Sequence, residues 1–158
     1  MPKRKVPTQD DELYVFKSNL ISESTQKTIE IPNFIKEIED QDNINNKLAT
    51  DSPKFKIGGV EFSIGVRPDS PVDGFIAVHV ANYSKEDQMS SVTAKSSGVE
   101  KTWEMEKVPA DGNWGWDKFL SHQKYREWAQ THGDVFKLEI AVTHHRAEGD
   151  ADDWSWTR

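Results

Sequence analysis

Apolar and polar residues alternate along four segments of the chain, 60–67, 75–81, 99–106 and 136–143. Because successive side chains of a β-strand point to opposite faces, this alternation predicts half-buried strands. A shorter alternating run at 28–31 predicts another strand, which stops at Pro32. Short strands separated by Gly, Pro and Asp turns are typical of an antiparallel all-β sandwich.

The segment 116–130 breaks this alternation. Phe119, Leu120 and Trp128 recur there at near-helical spacing, which predicts a helix. Residues 37–46 are acidic and amide-rich and predict a loop or a weak helical turn. Residues 1–12 are polar and contain two prolines, a composition typical of disorder.

The composition indicates one domain and excludes several classes of protein. The chain has 158 residues, enough for a single core, and no cysteine. The lack of cysteine excludes disulfide scaffolds, cysteine nucleophiles and thiolate zinc sites. The net charge of −7 argues against nucleic-acid binding, since phosphates require a basic face. The longest apolar run, 75–81, is far shorter than the roughly 20 residues of a membrane helix.

The N-terminus carries a basic cluster, Lys3, Arg4 and Lys5, with no apolar segment behind it. A secretory signal needs such a segment, so we expect an intracellular protein, either cytoplasmic or nuclear. The basic cluster fits a nuclear import signal or a solvated terminus. Asn82 begins an Asn-Tyr-Ser glycosylation pattern, but without a signal peptide we interpret it as the end of a strand.

Catalytic patterns are missing from the sequence. It contains no Gly-x-Ser-x-Gly elbow, no phosphate-binding glycine loop and no His-Glu-x-x-His helix. Adjacent His144 and His145 would point to opposite faces of a strand, so they cannot easily share a metal ion. We therefore expect structural or surface roles for the histidines, and a protein that is no enzyme and uses no metal or cofactor.

Six tryptophans are more than a core of this size usually needs. Trp103 lies in one alternating row with Val99 and Met105, which predicts a core position. Trp114 and Trp116 flank a glycine between a predicted strand and the predicted helix, where side chains serve binding more often than packing. The alternative is that both indoles cap the end of the sandwich.

Several segments resemble the MATH (meprin and TRAF homology) domain. Residues 55–68, Phe-Lys-Ile-Gly-Gly-Val-Glu-Phe-Ser-Ile-Gly-Val-Arg-Pro, are similar to its second and third strands. The Trp-Gly-Trp turn at 114–116, the Phe-Leu helix after it and the strand 136–142 are similar to its end. Residues 29–34 resemble its first strand, although the family usually has Trp where this chain has Ile29.

The resemblance covers residues 27–144 and implies a TRAF-like antiparallel eight-stranded β-sandwich, all-β, with one short helix after the Trp-Gly-Trp turn. Residues 1–26 would form a flexible or partly ordered N-terminal segment. Residues 145–158 would form an acidic-aromatic tail. Trp154 and Trp156 in this tail fit a linear motif, a segment that folds onto its own sheet, or a disordered end.

The resemblance also implies a peptide-binding site. MATH domains of TRAF adaptors, speckle-type POZ proteins and one ubiquitin-specific protease bind extended peptides in a shallow groove, partly by main-chain pairing with an edge strand. In the latter two, an Asp-Trp-Gly-Phe turn contacts the peptide, and it matches Asn113, Trp114, Gly115 and Trp116. Aromatic positions of the groove fall on Glu106 and His79, and another near Met89.

The strand phases of the alternating segments agree with this placement. They put His79 and Glu106 opposite the core rows, and Met89 opposite Val92. Glu106, beside Glu104, replaces an aromatic residue and should make the groove acidic, so we expect a peptide that carries Lys or Arg.

The expected function is a protein-interaction module that binds a linear motif of a protein partner, as an adaptor or assembly subunit. We expect no nucleic-acid or membrane partner, and the sequence is compatible with a homo-oligomer. The alternative is a carbohydrate-binding or hydrolytic β-sandwich, because exposed tryptophans also stack on sugars.

Overall fold

Two antiparallel sheets form the sandwich in the computed structural model, which describes residues 20–39, 50–68 and 72–147. Along the chain, the elements are β1 (Leu20–Pro32), α1 (Phe34–Glu39), β2 (Thr50–Asp51), β3 (Phe55–Ile57), β4 (Val60–Arg67), β5 (Phe75–Asn82), β6 (Gln88–Ser96), β7 (Val99–Val108), β8 (Asn113–Ser121), α2 (His122–His132) and β9 (Val135–Ala147). The tail with Trp154 and Trp156 and the basic cluster at 3–5 lie outside the described residues.

The first sheet has the strand order β1-β9-β6-β7, and the second has the order β2-β4-β5-β8, with β3 also paired with β4. β2 and β3 pair with successive parts of one edge of β4, since Asp51 lies opposite Gly65 and Phe55 lies opposite Phe62. Counted as one interrupted strand, they bring the number of described strands to eight. The predicted all-β antiparallel sandwich is confirmed.

The alternating segments all form strands. β4 spans Val60–Arg67 and ends before Pro68, as predicted, and β5 spans Phe75–Asn82. β1 and β9 are longer than their alternating cores, and they pair from Leu20 opposite Ala147 to Pro32 opposite Val135. The sandwich therefore extends beyond residues 27–144 at both ends.

The segment after Trp116 differs from the prediction. Residues 116–121 belong to β8, and α2 begins at His122, so the predicted helix 116–130 was wrong in its first part. The Trp-Gly-Trp sequence accordingly lies within a strand and forms no turn. The boundary is set by Ser121, whose backbone is extended and whose Oγ accepts the backbone N–H of Lys124 at 3.1 Å, as an N-cap does.

The two helices cover one end of the core. Phe34 of α1 stacks on Phe136 of β9 with ring centres 4.7 Å apart, and it meets the ring of Tyr125 in α2 edge-to-face at 5.2 Å. All three rings are buried. Neither helix of the described ranges has the length and apolar character that crossing a membrane requires.

A partly buried hydrogen bond joins α2 to the start of β9. The hydroxyl of Tyr125 donates to Asp134 Oδ1 at 2.8 Å, and the same oxygen accepts the backbone N–H of Ile35 at 3.1 Å. Burial, together with the neighbouring carboxylate, raises the pKa of Tyr125. The phenol therefore stays protonated and acts as a donor, which ties both helices to one carboxylate.

Tyr125→Phe is expected to lower the free energy of unfolding by about 1.5 to 3 kcal/mol, because a partly buried hydrogen bond to a charged acceptor is lost. Urea denaturation measures the change. Tyr83→Phe is the matched control, because the Tyr83 hydroxyl lies 2.8 Å from the neutral Ser63 hydroxyl and the residue is exposed. Equal losses in the two variants would contradict the role assigned to Asp134.

Candidate functional site

Strands β7 and β8 lie next to each other along one open side of the sandwich. Within the described residues, β7 pairs only with β6 and β8 only with β5, so each strand has one free edge. Three tryptophans meet at this side. The ring of Trp103 in β7 lies 4.7 Å from that of Trp116 and 6.5 Å from that of Trp114, centre to centre. We call Trp103, Trp114 and Trp116 the indole cluster.

The three indoles differ in their contact with solvent. Trp103 is 7% exposed, and its Nε1–H donates to Ser90 Oγ at 3.3 Å, which confirms the predicted core position. Trp116 is half-buried against the core and lies 5.9 Å from the Phe119 ring. Trp114 is 45% exposed. The cluster therefore presents one open indole, Trp114, which contacts the buried Trp103, and Trp103 in turn contacts Trp116.

A β-bulge changes the phase of β7 after Trp103. Val92 of β6 lies opposite Trp103 whereas Ser90 lies opposite Glu106, so one extra residue is accommodated in β7. Met105 takes a positive φ of 52°, and its backbone N–H donates to Ser91 Oγ at 3.0 Å.

Two predictions on β7 were wrong because of this bulge. Met105 is 48% exposed and does not continue the core row of Trp103. Glu106 does not lie opposite the core row, because directly paired residues share a face and its partner Ser90 is fully buried. Glu106 instead lies on the face of Trp103, and its own side chain is exposed at the sheet edge.

His79 lies on the outer face of the second sheet, as its strand phase predicts. Its neighbours across both strand pairings are glycines, Gly65 in β4 and Gly115 in β8. His79 Nε2 lies 3.0 Å from Asp117 Oδ1. A polar cleft of about 440 Å³ surrounds this pair, lined by Asp51, Gly65, Arg67, His79, Ala81, Tyr83, Asn113 and Asp117. We call it the outer-face cleft.

Met89 lies on the outer face of the other sheet, between Lys107 and His145. This confirms its predicted phase relative to the buried Val92. His145 Nδ1 lies 2.7 Å from Ser22 Oγ and its Nε2 lies 2.8 Å from Ser91 Oγ, and burial lowers the pKa of this histidine. His144 is buried and lies 2.7 Å from Gln88, so the two adjacent histidines do lie on opposite faces.

The seven predicted site residues therefore occupy three places. Trp114, Trp116 and Glu106 lie at the open side between β7 and β8. His79, Asn113 and Gly115 belong to the outer face of the second sheet, and Met89 belongs to the outer face of the first. The alternation of β8 separates neighbours of the Asn-Trp-Gly-Trp sequence onto two faces.

The sequence reasoning missed a groove of about 510 Å³ beside α2. Trp128 of α2 forms one wall, stacked on His132 at 3.5 Å, and Gly98 of the β6–β7 turn lies against the same ring. The rim has balanced charges, Lys95 and Lys137 against Glu100 and Glu139. The sequence contained a signal for this groove, because Trp128 and His132 are four residues apart and therefore lie side by side on one face of a helix.

Asn82 holds the connection from β7 to β8 in place. Its Nδ2 donates to the carbonyl oxygens of Glu86, Val108 and Pro109 at 2.9, 3.0 and 3.2 Å, and its Oδ1 accepts the backbone N–H of Ser84 at 2.8 Å. Asn82 is 1% exposed and is the last residue of β5, as predicted. The amide is thus fully used in the fold and positions the loop that leads to Trp114.

No protein-family model matches the chain, and no curated protein sequence matches it. Within the described ranges, no group of three or more His, Asp or Glu side chains could hold a metal ion. The function is therefore inferred from the geometry of the indole cluster and the outer-face cleft.

Proposed function

We propose that the protein binds an extended peptide segment of a protein partner along the free edge of β8, and that it acts as an adaptor or assembly subunit without catalysis. The exposed indole of Trp114 at an unpaired strand edge is the observation that carries this proposal. A free edge offers backbone donors and acceptors to an added strand, and an exposed Trp offers a large rigid contact surface.

The other strand edges of the described residues are less suitable for an added strand. On β1, the ammonium of Lys27 lies 5.0 Å from the centre of the Phe55 ring in β3 and so reaches across to the facing sheet. β2 and β3 are interrupted by Pro53, and β7 contains the bulge at Met105 together with charged neighbours. Breaks, bulges and charges are the devices by which proteins protect sheet edges from pairing.

The first part of β8 lacks these devices. Residues 113–116 include no charge and no proline. Further along, Lys101 Nζ donates to the backbone carbonyl of Lys118 at 2.7 Å and occupies an acceptor that an added strand would need. The available edge is therefore the short stretch 113–116, which suits a short linear motif.

An added strand would contact two different surfaces. Its successive side chains would point alternately toward the indole cluster and toward the outer-face cleft. Residues on both faces of β8 would therefore contact the same peptide. Trp114 and Trp116 would line one side of it, and Asn113 and Asp117 the other. Exposed Glu106 on the β7 side favours a basic residue at the cluster.

Trp114→Ala is expected to weaken peptide binding at least about 30-fold, because a Trp hot spot contributes about 2 kcal/mol or more. Fluorescence polarisation with basic and acidic peptide libraries measures the change, and we expect the basic library to bind. Trp128→Ala is the matched control, since it removes an indole outside the β7–β8 side. Thermal unfolding checks that each variant is folded.

Retained binding in Trp114→Ala, or preference for acidic peptides, would contradict the proposal. A Trp114-dependent signal on a glycan array without peptide binding would favour the carbohydrate-binding alternative, for which the same exposed indole is the supporting observation.

A further inference from the structure

We propose that the indole cluster, together with Glu106, selects arginine over lysine in the bound segment. This inference rests on the proposed function and specifies which side chain faces the cluster. Three observations carry it: the orientation of the indoles, the position of Glu106 and the placement of the two nearby lysines, which form no ion pair with Glu106.

The orientation of the indoles leaves a flat aromatic surface open. The rings of Trp103 and Trp114 are inclined by 70° in an edge-to-face contact. In such a contact, Trp103 covers at most one face of Trp114, and the 45% exposure of Trp114 indicates that solvent reaches the ring. Trp103 packs in turn against Trp116, with ring centres 4.7 Å apart. The surface is thus a supported platform with no deep cage between the rings.

A carboxylate lies on the same face of the first sheet as Trp103. Glu106 is opposite Ser90, and Ser90 Oγ accepts the indole N–H of Trp103 at 3.3 Å. Directly opposite residues of an antiparallel pair have Cβ atoms about 4.5 to 5.5 Å apart, so Glu106 neighbours the indole cluster across Ser90. Glu106 is exposed and forms no ion pair within the described residues.

The nearby lysine on this face does not neutralise the carboxylate by a direct contact. Lys101 of β7 uses its ammonium to bind the Lys118 carbonyl, further along β8 than Trp116. Lys107, next to Glu106 in the chain, is opposite Met89 and belongs to the outer face of the first sheet. A positive charge at the cluster is therefore left to the ligand.

Arginine matches a flat aromatic platform beside a carboxylate better than lysine does. Its guanidinium is planar, is weakly hydrated, stacks on indole rings and can donate two parallel hydrogen bonds to one carboxylate. The lysine ammonium is compact and strongly hydrated, so it loses more on leaving water and gains no stacking area. The site should accordingly discriminate by shape as well as by charge.

The test uses fluorescein-labelled heptapeptide pools with random flanking positions and a central residue fixed as arginine, lysine, trimethyllysine or citrulline. We expect the arginine pool to bind the full chain at least about tenfold more tightly than the lysine pool. Citrulline keeps the planar shape without the charge and should bind at least about tenfold more weakly than arginine. Glu106→Gln should reduce the advantage of arginine over lysine, and Trp114→Ala should abolish it.

The outcomes separate this inference from the proposed function. Equal binding of the arginine and lysine pools, both lost in Trp114→Ala, would overturn the selection of arginine and leave peptide binding intact. Tighter binding of trimethyllysine than of arginine would overturn it in favour of a site for methylated ammonium groups. Binding of none of the four pools would overturn the proposed basic-peptide function and this inference together.

Discussion

Gly115→Ala is expected to lower the free energy of unfolding by about 3 kcal/mol or more, as overpacking against immovable neighbours does. A Cβ at this position would overlap the carbonyl oxygen of Val78 and would lie 2.6 Å from the Cα of His79. Both are backbone atoms of β5, which is fixed by β4 on one side and β8 on the other. The methyl group can be accommodated only if β8 moves away from β5.

Thermal unfolding measures this effect, which should appear as a decrease in Tm of at least about 6 °C. Gly112→Ala is the matched control, three residues earlier in the chain. A Cβ there would meet the Pro109 side chain at 3.2 Å, and Gly112 has no positive φ that a side chain would strain. A similar Tm for the two variants would show that β5 and β8 are not so closely spaced at Gly115. If Gly115→Ala also loses peptide binding, the displacement of β8 would explain the loss. Trp114→Ala is therefore the variant that tests recognition.

The alternation of side chains was sufficient to predict β4, β5, β7 and β9, but not β8, which carries Trp114 and Trp116. β4 begins at Val60 and ends at Arg67 because its inward row is uniformly apolar and Pro68 cannot continue the ladder. The core position of Trp103 followed from the same rule. These features are local, and the sequence contains the whole signal for them.

The errors come from places where local patterns are ambiguous. Phe119 and Leu120 fit a helical spacing with Trp128, but they extend β8, and the N-cap Ser121 was the available signal for the true boundary. The bulge at Met105 depends on a positive φ in a residue other than glycine, which no alternation reveals. That single extra residue determines on which face Glu106 lies, so the composition of the candidate site could not be derived from periodicity alone.

Asn82→Asp is expected to lower the free energy of unfolding by about 3 to 5 kcal/mol at neutral pH, although the two side chains have almost the same shape. The amide nitrogen now donates to three carbonyl oxygens, of Glu86, Val108 and Pro109. An ionised carboxylate would place negative charge against these oxygens in a buried site. The loop from β7 to β8 would lose its anchor, and the indole cluster would lose the support that holds Trp114 in place.

The pH dependence has a definite sign. Burial and the facing carbonyl oxygens favour the neutral form, so the pKa of the introduced carboxyl group is higher in the folded than in the unfolded state. The unfolded value is about 3.9, so the deficit relative to wild type should be smallest below this pH, where a protonated carboxyl can still donate one hydrogen bond. The deficit should increase as the pH rises through the folded-state pKa.

Urea denaturation of the wild type and of Asn82→Asp at several pH values gives the difference between their free energies of unfolding at each pH. Taking this difference removes the acid sensitivity that the two proteins share. Asn113→Asp is the matched control, because Asn113 is exposed and the change should alter stability by less than about 0.5 kcal/mol. An Asn82→Asp deficit no larger than that of Asn113→Asp, or one that does not change with pH, would contradict the anchoring role. If the deficit has the expected size and sign, the edge of β8 depends on a buried amide at the end of β5, because this side chain joins the β7–β8 connection that leads to it to the neighbouring β5–β6 loop.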